Sequence, residues 1–325
     1  MCPIHVNETE SVITVADLRK TYGETVAVDG VSFDIRAEEV FALVGPNGAG
    51  KTTTVEMLEC LRTPTAGSAT VLGHDVTTDS RSIKRDIGVV PQSFHTFDSL
   101  SVRENVALIR RLYDDGLAVD AVLEELDLTE WAETPFQSLS GGLKRRTGMA
   151  MALVSDPAVL FLDEPTTGLD PDARRGTWEQ IEGLAERGTT VVLTTHYMEE
   201  VERLADRAAL LLDGSIEAID TVSNLIERYG GAIKVIVRSD RRDTDGETGA
   251  DDVVRPILEA TASEVYRTDS GDLVGLFEDR DRAQETYSRL HRAGDGRAID
   301  LISAGMEDVF LRLAGATPDA RGELE

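Results

Sequence analysis

Hydrophobic and polar positions divide the chain into strands and helices. Residues 11–20 and 25–35 alternate apolar and polar side chains around a turn, which predicts half-buried antiparallel strands. Continuous apolar runs predict buried strands at residues 40–44, 87–91, 159–164 and 189–195. Segments of helical character alternate with these runs, at residues 52–61, 101–128, 143–154 and 173–187. This order predicts an α/β fold with a mostly parallel sheet at its core, an antiparallel β subdomain and a helical insert at residues 100–155.

A second, smaller unit is expected after the glycine pair Gly230 and Gly231. The pattern beyond it predicts strands at residues 233–237, 264–267, 272–277 and 298–303, helices at 253–260 and 281–292, and an acidic loop at 239–250. This β-α-β-β-α-β order is typical of a split-βαβ, ferredoxin-like domain. We therefore expect a first domain at residues 1–229, an α+β accessory domain at 230–315 with a final helix at 306–315, and a tail at 316–325.

The charge of the chain restricts its partners. Its 325 residues include 33 Lys and Arg against 60 Asp and Glu, which gives a formal net charge of −27 at pH 7. A surface this acidic disfavours nucleic acid as a partner. Lysine occurs only at positions 20, 51, 84, 144 and 234, and an acidic, lysine-poor composition resembles that of proteins from salt-loving organisms.

Cysteine content and hydropathy indicate a reducing compartment and no membrane-spanning segment. Cys2 and Cys60 are too few for a disulfide framework, and neither has a partner at metal-ligand spacing. The N-terminus lacks the charged and apolar regions of a secretory signal. Since no apolar run approaches the roughly 20 residues that cross a bilayer, a role at a membrane is expected to be that of a peripheral partner of another chain.

The strongest chemical signal is FALVGPNGAGKTTT, residues 41–54. Residues 45–52 match the phosphate-loop pattern G-x-x-x-x-G-K-[ST] at every fixed position, between a predicted strand and a predicted helix. Glycines let the backbone N–H groups turn inward, and a helix N-terminus favours an anion. Lys51 is expected to reach the β- and γ-phosphates of a nucleotide, and the Thr52 hydroxyl to ligate Mg²⁺. An ordinary Gly-rich turn with a surface lysine would require several accidental matches.

Three later strand ends carry side chains suited to a nucleotide. The run VLFLDE ends in two carboxylates, of which Asp163 is expected to hold Mg²⁺ through water and Glu164 to act as general base. Gln92 can ligate Mg²⁺ or hold a water, although the capping of a loop explains it equally well. His196 can hydrogen-bond a γ-phosphate, whereas a lone histidine at a strand end is otherwise structural.

A second helix start with anion-binding character lies at LSGGLKRR, residues 139–146. Ser140 suits an N-cap, and Gly141 and Gly142 leave backbone N–H groups open. One phosphate site does not need two such starts, so this one is either redundant or serves a nucleotide held by another subunit. A glycine hinge with a basic, solvated helix face is the plainer interpretation. Tyr22, ahead of the phosphate loop, can stack on a base or is a half-buried turn aromatic.

In this order the motifs resemble the nucleotide-binding subunit of an ATP-binding-cassette (ABC) transporter, over about the first two thirds of the chain. The resemblance implies a P-loop ATPase that uses ATP and Mg²⁺, with Glu164, His196 and Lys51 in catalysis and Asp170 in the D-loop. The ATP-binding residues that it implies are Tyr22, Gly45, Pro46, Asn47, Gly48, Ala49, Gly50, Lys51, Thr52 and Thr53. The Mg²⁺ ligands that it implies are Thr52, Gln92 and, through water, Asp163.

The same resemblance implies a partner for the second helix start. Ser140, Gly141 and Gly142 would contact a phosphate of ATP held by a second copy of the chain or a homologous subunit, with the two subunits head to tail. Leu143 stands where the commonest signature has Gln. This departure leaves the backbone donors unchanged and affects only side-chain contacts at the subunit interface.

Two further segments are similar to the drug-resistance-type ATPases that serve ABC-2 exporters, namely residues 194–207 and 306–315. They imply a subunit that powers a separate membrane permease from the cytoplasmic face of the membrane. Phe94 and Phe97, with little to bury them locally, are expected to contribute to the permease-docking surface together with the helical insert. A soluble ABC ATPase acting on a protein or ribonucleoprotein, and a regulatory or assembly ATPase with soluble partners, are the alternatives.

Overall fold

The computed structural model describes residues 11–230, 233–238, 251–268, 271–293 and 297–314, the side chains of 251 and 252 excepted. The chain divides into two compact units, residues 1–222 and 223–325. The expected acidic loop and C-terminal tail lie outside the described residues. Within those residues, no helix combines the length and the apolar character needed to cross a bilayer.

The first unit alternates strands and helices as the sequence predicts. Its strands are β1 (Ser11–Tyr22), β2 (Thr25–Arg36), β3 (Val40–Val44), β4 (Ala66–Val71), β5 (His74–Asp75), β6 (Ile87–Val90), β7 (Val159–Asp163), β8 (Thr190–Thr195), β9 (Arg207–Leu212) and β10 (Ser215–Thr221). Its helices are α1 (Lys51–Leu58), α2 (Ser80–Asp86), α3 (Val102–Arg110), α4 (Val119–Glu125), α5 (Gly141–Leu153), α6 (Pro171–Glu186) and α7 (Met198–Leu204). Helix α8 (Val222–Tyr229) crosses into the second unit.

The two alternating N-terminal segments form β1 and β2, which join β4 and β5 in an antiparallel sheet of order β2-β1-β4-β5. Ile13, Val15 and Leu18 are buried on it, while the side chains between them are mostly exposed. Tyr22 is the last residue of β1 and pairs with Thr25 across the turn. The antiparallel subdomain is therefore confirmed, with Tyr22 in the strand rather than in the turn.

A six-stranded sheet of order β10-β9-β3-β8-β7-β6 forms the centre of the first unit. All neighbouring strands from β9 to β6 are parallel, and β10 adds an antiparallel edge. Every residue of β3, β7 and β8 is buried, as expected for strands covered on both faces. Since the carboxyl ends of parallel strands meet at one edge, the residues after β3, β6, β7 and β8 lie together there.

The helical segments differ in their ends from the sequence prediction. Helix α1 stops at Leu58, three residues before the predicted end, and Cys60 has a left-handed backbone with φ of 58°. Helix α3 begins at a capping box in which Ser101 accepts from the Glu104 N–H, and the Glu104 carboxylate accepts from the Ser101 N–H at 2.8 Å. Helix α5 has Ser140 as its N-cap. Helices α3 and α5 belong to the predicted insert.

The second unit contains a separate antiparallel sheet. After α8 it comprises β11 (Ile233–Val237), α9 (Asp251–Thr261), β12 (Glu264–Arg267), β13 (Leu273–Phe277), α10 (Arg280–Ala293), β14 (Ile299–Ile302) and α11 (Met306–Leu313). The strand order is β12-β13-β11-β14, so that β13 lies between the two strands that α9 connects. This is a split-βαβ arrangement, and its core includes Val235, Leu258, Phe277 and Leu290.

Candidate active site

The phosphate loop lies where the backbone leaves little space beside its glycines. A Cβ at Gly50 would stand 2.3 Å from the Ala27 carbonyl oxygen, and one at Gly45 would stand 2.2 Å from that of Leu211. Gly50 also has φ of +100°, and Gly48 has φ of +86°. Because side chains are excluded here, the loop backbone is free to face a ligand, as polyphosphate binding requires.

Lys51 is buried in this loop, with 5% of its surface exposed. Its Nζ donates to the carbonyl oxygens of Gly45 at 2.7 Å and Pro46 at 3.0 Å, and lies 4.0 Å from Glu164 Oε1. Burial lowers the pKa of Lys51, while the carboxylates of Glu164 and Asp163 act in the opposite direction. A buried ammonium at the base of an anion-binding loop is suited to a phosphate group.

Oxygen atoms suited to a hard cation lie beside the lysine. The Thr52 hydroxyl is 3.2 Å from both carboxylate oxygens of Asp163, and the Thr194 hydroxyl donates to Asp163 Oδ1. Hydroxyl and carboxylate oxygens are ligands that Mg²⁺ accepts, directly or through water. The donor set present at Thr52 and Asp163 therefore fits the metal that the sequence predicts.

Glu164 occupies the centre of the site and is buried. Its carboxylate accepts from Gln92 Nε2 at 2.9 Å and Thr167 Oγ1 at 3.0 Å, and lies 3.2 Å from His196 Nδ1. Its backbone is left-handed, with φ of 44°, and its N–H donates to the Thr194 carbonyl at 3.1 Å. The structure thus brings Gln92, Glu164 and His196 into one hydrogen-bonded group next to Lys51.

These groups line a cavity of about 360 Å³. Its lining residues are Ala27, Asn47, Gly48, Gly50, Lys51, Thr52, Thr53, Gln92 and Glu164. All but Ala27 were predicted from the sequence. Ala27 carries no chemical signal in the sequence because it contributes through the position of its strand.

The second helix start lies apart from this cavity. The Ser140 side chain caps α5 by accepting from the Leu143 N–H at 3.3 Å. Ser140 and Gly141 are exposed, and neither they nor Gly142 belong to the cavity lining. Within one chain, the two predicted anion sites therefore do not share a ligand.

Two other predicted site residues have structural neighbours of their own. Tyr22 is 42% exposed, with Lys20 Nζ 5.2 Å and the Arg62 guanidinium 5.9 Å from its ring centre, and it does not line the cavity. Asp170 is the N-cap of α6, where its Oδ1 accepts from the N–H groups of Asp172 at 3.1 Å and Ala173 at 2.9 Å. Asp170 thus fixes the start of α6, seven residues after the end of β7.

The two phenylalanines after Gln92 differ in burial. Phe97 is 60% exposed, as expected. The expectation is wrong for Phe94, which is half-buried and meets the Phe136 ring edge-on at 5.7 Å between ring centres. Phe94 lines a groove of about 450 Å³ whose other residues include Glu59, Lys84, His95, Ile109 and Met151. The helical insert supplies the burial that the local sequence does not reveal.

Sequence reasoning missed two buried charged residues behind the site. Glu200 is fully buried and accepts from Thr166 Oγ1 at 2.8 Å and Trp178 Nε1 at 3.0 Å, and its burial raises its pKa. Arg145 is buried as well, although the run KRR suggested a solvated basic helix face. Only the packing of α5 and α7 on the sheet distinguishes these residues from the other charges of their helices.

A phosphate loop, a carboxylate pair after β7 and a histidine after β8 define a P-loop nucleotide-binding protein. Residues 28–167 match the family model described as ABC transporter. Nod factor export ATP-binding protein I of Paraburkholderia xenovorans (strain LB400) is 39% identical over 312 residues, covering 94% of this chain and 98% of that protein. Daunorubicin resistance ATP-binding protein DrrA3 of Streptomyces coeruleorubidus is 36% identical, covering 94% of this chain and 96% of that protein.

Solved structures agree with this assignment. A dimeric ATP-binding cassette in a post-hydrolysis state bound to ADP and Pi is 28% identical and has a TM-score of 0.58, covering 64% of this chain and 98% of that one. The chain belongs to the family of ABC transporter ATP-binding subunits and is an ATPase. The relatives favour this class over a soluble ABC ATPase that acts on a protein or ribonucleoprotein.

Proposed function

We propose that this protein is the ATP-hydrolysing subunit of an exporter, in which two subunits close around two Mg-ATP molecules and drive a separate membrane permease of ABC-2 type. The names of the relatives, a Nod factor export protein and a daunorubicin resistance protein, support the export direction. The second subunit is another copy of this chain or a homologue. The assembly lies at the cytoplasmic face of the cell membrane, and nucleic acid is not a partner.

The observation that carries the proposal is the contact of Glu164 with Gln92, His196 and Lys51 in the phosphate-loop cavity. Glu164 accepts a proton from the attacking water, and His196 holds the water or the γ-phosphate in line. Lys51 binds the β- and γ-phosphates. Bound Mg²⁺, held by Thr52, Gln92 and, through water, Asp163, would neutralise charge on the phosphates.

The exposed start of α5 supports the dimer. Residues 140–142 present backbone donors outside their own chain's cavity, so they are available to the γ-phosphate of a nucleotide held by the other subunit. Asp170, the D-loop residue at the start of α6, lies at the same subunit interface. Tyr22, whose side chain is 42% exposed, stacks on the adenine.

Three further features complete the proposal. Phe97 and the groove that Phe94 lines form part of the permease-docking surface. Residues 230–315 form an accessory domain, to which we assign no separate activity. The net charge of −27 suits a cytoplasm of concentrated salt, where carboxylates keep the surface hydrated.

Glu164→Gln tests the proposal most directly. We expect hydrolysis to fall by about 100-fold or more, since a general base contributes 10²–10⁴-fold, while ATP binding persists. The stalled protein should sediment as a dimer with saturating Mg-ATP and as a monomer with ADP. Glu24→Gln, at an exposed position of the first turn, is the matched control and should retain full activity. A Glu164→Gln protein that hydrolyses ATP normally, or that stays monomeric with ATP, contradicts the proposal.

A further inference from the structure

Arg145 has an unusual environment for an arginine. It lies in the second turn of α5 and exposes 7% of its surface. Its Nη1 donates to the Pro91 carbonyl at 2.8 Å and its Nη2 to the Asp163 carbonyl at 2.9 Å, while its Nε is buried without a partner. Among the residues that the structure describes, no carboxylate lies within ion-pair distance of Arg145. Burial lowers the pKa of Arg145 to about 10, while the carboxylates of Asp163 and Glu200 act in the opposite direction, and the guanidinium spends its hydrogen bonds on the two backbone carbonyls.

The two carbonyls that Arg145 binds have a special place in the sheet. The last paired residues of β6 and β7 are Val90 and Leu162. Pro91 follows Val90 and Asp163 follows Leu162, so each lies one position beyond the last pair of these two strands. Pro91 has no N–H and cannot extend the ladder. The guanidinium therefore bridges the two strand ends at the point where their own hydrogen bonding stops.

The bridged positions directly precede the two residues that meet in the active site. Pro91 precedes Gln92, and Asp163 precedes Glu164, whose side chains are 2.9 Å apart from Nε2 to Oε2. A planar guanidinium with two parallel donors fixes the spacing of two acceptors more strictly than a point charge can. Arg145 thus links the two backbone positions that directly precede Gln92 and Glu164.

The same side chain connects these strand ends to the helix that begins at Ser140. Arg145 lies five positions after Ser140, so the N-cap and the guanidinium are both at the first two turns of α5. A shift of α5 moves the guanidinium, and with it the two carbonyls. The second subunit's nucleotide would act on the start of α5, whereas Arg145 acts on the site of its own chain.

We propose that Arg145 is a positioning residue for ATP hydrolysis, which holds Gln92 and Glu164 in register and relays to them the phosphate contact made by the start of α5. The inference rests on the proposed function of Glu164 and of residues 140–142. According to this inference, the start of α5 in one subunit contacts the nucleotide held by the other subunit. Hydrolysis in the first subunit then depends on that contact.

Arg145→Met and Arg145→Lys test the inference in the full chain, with Arg289→Met as the matched control. Methionine fills the space without a donor, and lysine keeps the charge but lacks the planar pair of donors. Arg289 is an exposed arginine of α10, in the second unit, and receives the same substitution. We expect kcat to fall by about tenfold or more in Arg145→Met, with a smaller loss in Arg145→Lys and none in Arg289→Met. The ATP dissociation constant should change less than twofold in all three proteins.

Two readouts separate positioning from a general loss of structure. The Hill coefficient for ATP should fall towards 1 in Arg145→Met, because the relay between the sites is lost. In a Glu164→Gln background, Arg145→Met should lower the residual hydrolysis no further, because both changes act through the same carboxylate. Additive losses, an unchanged kcat in Arg145→Met, or weaker ATP binding with an unchanged kcat would overturn the inference. If Glu164→Gln itself leaves hydrolysis intact, the proposed function fails instead.

Discussion

The buried carboxyl group of Glu59 leads to a prediction about how the stability of the protein depends on pH. It follows the last turn of α1 and exposes 5% of its surface. Burial, with smaller contributions from the Asp163 and Glu56 carboxylates, raises the pKa of Glu59 to about 7 from the ordinary value of 4.5. The folded protein therefore keeps a proton on Glu59 over a pH range in which the unfolded chain has released it.

The sign of the effect follows from proton binding. Between pH 4.5 and about 7 the folded state binds more protons at Glu59 than the unfolded state, so the free energy of unfolding falls as pH rises. At 1.36 kcal/mol per pH unit, the loss is about 3 kcal/mol by pH 8. Glu59→Gln removes the charge and with it this loss. For a unit of this size, 3 kcal/mol corresponds to a rise in Tm of about 6–12 °C.

The assay is thermal unfolding of the wild type and Glu59→Gln at pH 5, 6, 7 and 8, at constant ionic strength. We expect the Tm difference in favour of the variant to grow from pH 5 to pH 7 and to level off above that. Glu24→Gln, an exposed carboxylate, controls for the loss of one surface charge. A Tm difference that is constant with pH, or a variant that is less stable at pH 8, would refute the burial of a protonated Glu59.

Two more predictions concern the phosphate loop and the surface. Gly50→Ala should lower ATP affinity at least tenfold and stability by about 2 kcal/mol or more, because its Cβ meets the Ala27 carbonyl at a positive φ. Gly73→Ala, also at positive φ but in open space, is the control and should lower stability by only about 1 kcal/mol. Isothermal titration measures ATP affinity and thermal unfolding measures stability, and equal effects of the two substitutions would contradict the reasoning. Raising KCl from about 0.1 to 2 M should raise the Tm, because salt screens repulsion among the −27 net charges. A Tm that falls in salt would argue against an adaptation to salt.

Much of the fold was predictable because its signals are local. The periodicity of β1 and β2 and the apolar runs of β3, β7 and β8 report burial directly along the chain. Helix ends were less accurate, since α1 ends through a left-handed turn that propensity does not reveal. Gln92 could be suggested from the sequence but had an equally plain structural explanation, whereas the position of His196 at a strand end already favoured function. The sheet places both side chains beside Glu164.

By itself the sequence determined the phosphate loop, the acidic end of β7 and the serine-capped, glycine-rich start of α5, because each is a short pattern of adjacent residues. Only the tertiary structure decided which charges are buried. Arg145 lies next to Lys144 and Arg146 in an unbroken basic run, and Glu200 next to Glu199, so composition cannot separate them. Burial depends on which helix face packs against the sheet, and that is set by residues distant in the chain. The bridge from Arg145 to Pro91 and Asp163 spans 54 and 18 residues, and no local pattern encodes it.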